Sequence, residues 1–156
     1  MALRQIRKYR DDNDILRKKA KKVQVIDKRV VELLEDMAET MYREEGVGLA
    51  APQIGILKRL AVIDIGDNLI KLINPVIIEE SGEQQELEGC LSVPDVIGEV
   101  IRPKKVRIRA QNENAEFFEL EGENFLARAI CHELDHLDGI LFIDKMLPRT
   151  ENKKDS

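Results

Sequence analysis

An α+β fold is predicted, with small, mainly antiparallel sheets packed around a C-terminal helix and a long helix in the N-terminal half. Three observations predict it. Helical periodicity marks both ends of the chain, short Val- and Ile-rich runs fill the middle, and turn residues punctuate those runs.

Each element has its own signal. Asp11 to about Lys19 reads as a short helix capped by one of its Asp residues. Asp27 is a good N-cap for the next segment. Val30, Leu33, Leu34, Met37 and Met41 follow helical spacing and Gly46 ends the run, which predicts a helix over 28–44. Residues 46–55, GVGLAAPQIG, read as a loop with little side-chain bulk, open to close approach by a peptide or small ligand. From Lys58 the period changes. Strands are predicted over 59–65, 69–78, 84–88, 99–101, 105–110 and 116–120, with Gly66-Asp67-Asn68, Ser81-Gly82 and Pro103 between them. Asn124 caps a last helix, FLARAICHELDHLDG. Its apolar face is Phe125, Leu126, Ala129, Ile130, Leu134 and Leu137, and Gly139 stops it.

The 156 residues suit one domain, taken as 1–149, followed by a polar, flexible tail over 150–156. With 43% hydrophobic and 35% charged residues, the composition excludes a disordered chain. Trp is absent and aromatics are 4%, so the core is aliphatic and the composition argues against a base-stacking surface. No apolar run approaches the roughly 20 residues that span a bilayer, and the N-terminus lacks a signal-peptide stretch. A cytoplasmic location, without membrane contact, is the expectation. Net charge is −5, yet residues 1–22 hold nine Lys and Arg against three Asp. That segment reads as a solvated basic face, because no nucleic-acid motif accompanies it.

The chemistry concentrates in H132-E133-L134-D135-H136, which contains both histidines of the chain. At i and i+4 on a helix, two imidazoles share a face and can bind one metal ion, while Glu133 is placed to handle the proton of a bound water. A catalytic site needs a third protein ligand and an open position. Phe142 stands where the extended zincin pattern would place a third His. Cys131 points away from His132 and His136 around the helix and reads as a buried structural thiol. Cys90, in E88-G89-C90-L91-S92, is either a small core residue or the third ligand, and the missing ligand favours the second reading. Gln53 is the one polar side chain in its segment able to donate to a developing oxyanion.

GVGLAAPQ, EGCLS and HELDH, in this order and at these separations, resemble the three signature motifs of the peptide deformylases. The resemblance spans about 90 residues, from Gly46 to His136. It implies that Cys90, His132 and His136 bind one metal ion per chain, normally Fe²⁺, for which Zn²⁺, Ni²⁺ or Co²⁺ substitutes. It implies Glu133 as general acid/base, Gln53 and the Leu91 N–H as oxyanion donors, and the main chain of Gly46, Val47 and Gly48 as an edge to which the substrate pairs. The implied reaction is removal of the N-formyl group from the initiator methionine of new polypeptides by metal-bound hydroxide, releasing formate. The implied partners are N-formyl-Met nascent peptides and, transiently, the ribosome, with no nucleic-acid substrate. Two competing readings remain at this stage. A metal-dependent endopeptidase shares HExxH but lacks support from a third His or downstream Glu. An RNA-binding domain with structural zinc lacks a fourth ligand.

Overall fold

The computed structural model describes residues 2–148, so the tail expected over 150–156 lies outside the described residues. The elements are α1 (Asn13–Leu16), α2 (Lys28–Arg43), β1 (Gly48–Ala50), β2 (Leu60–Ile63), β3 (Ile70–Ser81), β4 (Gln84–Cys90), β5 (Val93–Arg102), β6 (Lys105–Gln111), β7 (Phe117–Glu123) and α3 (Phe125–Leu137). Short 3-10 turns follow β1 at Ala51–Ile54 and α3 at Phe142–Asp144. The expected α+β class, the long early helix and the late helix are all present.

Five strands form one antiparallel sheet in the order β1-β2-β3-β6-β7, and β4 and β5 form a separate hairpin. Side-chain alternation divides the core between the faces of the large sheet. Leu60 and Val62 of β2 pack with Val30, Leu34, Met37 and Met41 of α2. Ile63, with Leu72 and Ile108, packs under Ala127, Ile130 and Leu134 of α3. A third cluster of Leu16, Val93, Val100, Leu141 and Phe142 lies beneath the hairpin. The core is aliphatic, as the composition requires, and Phe142 is the one aromatic among its largest fully buried side chains.

The ends of the elements differ from expectation in instructive ways. Asp27 caps α2 as expected, accepting Val30 N–H at 3.1 Å. That helix is closed by Glu45 (φ +60°), with Gly46 N–H returning to Met41 C=O at 2.9 Å, so the left-handed position lies one residue before the expected glycine. Asp12 stands at the start of α1 but does not cap it. Its carboxylate accepts Lys8 N–H at 2.8 Å, and α1 is one turn long. Asn124 likewise makes no capping bond; at φ +55° it turns the chain from β7 into α3.

β5 is longer than the run expected over 99–101. The added residues include Pro94, Asp95 and Gly98, and the strand absorbs them in an irregularity where Glu88 pairs with Gly98 and Cys90 with Val93. Residues 48–50, read as loop, form the edge strand β1. Gly139 ends α3 at φ +77°, where a Cβ would meet Arg17 C=O at 2.4 Å. Among the described residues no helix is long and apolar enough to cross a membrane.

Candidate metal and active site

α3 brings His132 and His136 onto one face, with ring centroids 5.0 Å apart. Cys90, at the end of β4, approaches the same face, and its Sγ lies 3.3 Å from His136 Nε2. One donor atom from each of the three residues lies within 4.8 Å of the others. Cys131 is elsewhere. It is buried in the core beneath α3, and burial pushes its thiol up to about 11.

The surroundings favour a cation. His132 Nδ1 lies 3.1 Å from Glu88 Oε1, which holds the proton on Nδ1 and turns Nε2 toward Cys90. Burial opposes charge on His132, but Cys90 and Glu88 outweigh it and push its pKa up to about 10. Surroundings that hold a proton so firmly also suit a divalent ion. Glu88 is itself buried, which raises its pKa, but the Arg102 guanidinium on both its oxygens (2.9 Å each) and His132 bring it down to about 2. Arg102 also donates to Asp135 at 2.6 Å, joining β5 to α3. Two imidazoles and a thiol, with a carboxylate behind one imidazole, form a borderline-soft donor set that fits Fe²⁺ or Zn²⁺.

Glu133 lies beside this group and is 3% exposed. Its Oε1 has no partner among the described residues, and burial pushes its carboxyl up to about 7. A Cβ at Gly48 would come within 2.4 Å of Glu133 Oε2, so the bare backbone of β1 makes room for the carboxyl group. Gln53 is fully buried. Its Oε1 accepts Ala50 N–H at 2.9 Å, and its Nε2 faces Ser92 Oγ at 3.1 Å and Cys90 Sγ at 3.6 Å.

A cleft of about 420 Å³ opens on this cluster. Its walls come from Gly46–Gly48, from Leu87 to Leu91, and from α3. β1 is an edge strand, so among the described residues one side of its main chain faces no further strand, while Val47 C=O accepts Asp64 N–H at 2.8 Å on the other. All nine residues singled out in the sequence are therefore in or beside one cleft. The sequence reading gave no role to Glu88, Arg102, Arg128 or Asp135. Their one available signal was charge at positions that strand and helix periodicity assign to a buried face.

A family model for polypeptide deformylases matches residues 3–152. The chain belongs to the polypeptide deformylase family. It is 59% identical over 147 residues to the peptide deformylase of Acetivibrio thermocellus, covering 94% of this chain and 85% of that one. It is 58% identical to peptide deformylase 1 of Clostridium acetobutylicum, covering 94% and 96%. Among solved structures, the peptide deformylase of Thermotoga maritima superposes with a TM-score of 0.91 at 42% identity, covering 95% of this chain and all of that one. The Synechococcus elongatus peptide deformylase in complex with actinonin gives 0.89 at 40% identity, covering 96% and 82%. The protein is thus a deformylase-family enzyme with a Cys-His-His group able to hold a metal ion.

Proposed function

We propose that the enzyme removes the N-formyl group from the initiator methionine of newly made polypeptides and releases formate. The observation that carries this reading is a Cys-His-His donor group beside a buried, near-neutral Glu133 at an open strand edge. In it, Cys90, His132 and His136 hold one divalent ion, Fe²⁺ in the cell, with Zn²⁺, Ni²⁺ or Co²⁺ as substitutes. Such an ion supplies Lewis acidity, which brings a water's pKa to about 7 and polarises a carbonyl.

The protein's residues do the rest. The substrate lies along Gly46, Val47 and Gly48 as an added strand, read through backbone hydrogen bonds. Glu133 takes a proton from the attacking water and passes it to the departing amine, and a carboxyl poised near neutrality suits both directions. Gln53 Nε2 and the Leu91 N–H donate to the formyl oxygen as it gains charge. Water adds to the formyl carbon, the C–N bond breaks, and formate and a free amine leave. Residues 1–149 act as one catalytic domain in the cytoplasm. The exposed lysines at 18, 19, 21 and 22 provide a surface for transient ribosome contact.

The test compares three peptides at matched concentration. Formyl-Met-Ala should release formate, formyl-Ala-Ala far more slowly, since a shortened side chain loses about 1–3 kcal/mol in its pocket. Acetyl-Met-Ala should not react. Equal rates on formyl and acetyl peptides would overturn the reading, as would cleavage of an internal bond in an unformylated control.

A further inference from the structure

The candidate ligands come from two elements that are built separately. Cys90 belongs to the β4–β5 hairpin, which pairs with no strand of the large sheet, whereas His132 and His136 belong to α3. Something must hold the hairpin against the helix at the separation the donor group needs. Arg102 and Glu88 cross the gap through side chains. Arg128 crosses it differently. Its Nη2 donates to Glu86 C=O on β4 at 2.7 Å and to Val100 C=O on β5 at 3.1 Å, and its Nη1 lies 3.3 Å from Glu88 Oε2. One guanidinium thus grips the main chain of both hairpin strands. Arg128 stands four residues before His132, on the same helix face, and lines the cleft.

The residue is costly for a mere filler. It is 4% exposed, and its Nε is buried without a partner among the described residues. An apolar side chain of similar volume would avoid both penalties. Glu88 does not depend on it, because Arg102 and His132 already engage both Glu88 oxygens.

We propose that Arg128 is a positioning residue that sets the spacing between the β4–β5 hairpin and α3, and with it the width of the cleft and the approach of Cys90 to the two histidines. The proposal rests on the deformylase reading of the cleft. Its action is geometric, through a planar fork in which Nη2 reaches both carbonyls while Nη1 reaches Val100 C=O and the Glu88 carboxylate, and the single nitrogen of lysine cannot reproduce that.

The test uses Co²⁺-loaded parent, Arg128→Lys and Arg128→Met proteins. In each, KM and kcat for formyl-Met-Ala, the thiolate and ligand-field bands of the bound Co²⁺, and Tm are measured. Both variants should show a KM raised about tenfold or more, with shifted Co²⁺ bands, and Lys should not restore the parent values. If the Met variant fails to fold, the Lys variant decides. A lowered Tm with unchanged KM and Co²⁺ bands would reduce Arg128 to a stabilising residue and overturn the proposal. Full recovery in Arg128→Lys would overturn it in favour of charge alone. A parent protein inactive on formyl-Met-Ala, by contrast, would count against the functional reading itself.

Discussion

At Glu133 two demands meet in one carboxyl group, burial next to the donor cluster and freedom from any fixed partner on Oε1 among the described residues. A group held this way is suited to moving a proton and poorly suited to holding an ion. Glu133→Gln should therefore keep its metal content and fold while kcat falls about 10²- to 10⁴-fold; metal analysis beside formate release checks it, and loss of the metal would reassign the residue. Gly48 has a matching constraint. Gly48→Ala should displace the carboxyl group, because the added carbon falls 2.4 Å from Oε2. The expected result is a drop in kcat of about tenfold or more with little loss of Tm, and an unchanged kcat would show that Glu133 has room to move. The pair of histidines and Glu133 were legible in the sequence because their relation is local, one helical turn. Cys90 needed elimination of every other ligand. The ties that Arg102 and Arg128 make between the hairpin and α3 were not legible, since they depend on a strand and a helix that meet only in the folded chain.

Elements show the same division between local and distant causes. The capping of α2 by Asp27 could be read directly, whereas the three-residue edge strand β1 is defined only by its pairing with β2. The first half of β5 lies outside the run expected over 99–101 and carries Gly98. A Cβ there would strike Met146 Sδ at 2.0 Å, so glycine at this position admits the C-terminal segment that pairs with Val100. The N-terminal segment is fastened to α2 by Asp36, whose carboxylate accepts Ala2 N–H at 2.6 Å and the Arg4 guanidinium at 2.9 Å. Burial would raise the Asp36 pKa, but these bonds prevail and lower it. A carboxyl group depressed by folding stabilises above its unfolded value of about 3.9 and loses that contribution as pH falls through its folded value. Asp36→Asn should thus cost about 1–2 kcal/mol at pH 7. In urea titrations the gap from the parent should narrow as pH falls below about 3.9 and close in strong acid; a gap of equal size at pH 7 and in strong acid would refute this.

Over the whole molecule, charge is separated. Lys18, Lys19, Lys21 and Lys22 are exposed and make no ion pair among the described residues, whereas the carboxylates of β7 and β3 are answered by Lys105 and Arg107 of β6 between them. If this segment meets the ribosome as proposed, replacing the four lysines by Glu should weaken sedimentation with ribosomes and flatten its salt dependence, with kcat/KM on a free peptide unchanged. A second molecular property follows from where the donors sit. Cys90 and His136 are 46 positions apart in the chain. An ion shared between them would act as a cross-link, closing a long loop in whatever state retains it, and so removing entropy that the unfolded chain would otherwise gain. Ion loading should therefore raise Tm in the inactive Glu133→Gln variant as much as in the parent, and far less in Cys90→Ala. The atom that activates water would then also be one of the fasteners of the fold, and air or chelators that remove it would cost the cell the protein as well as the activity.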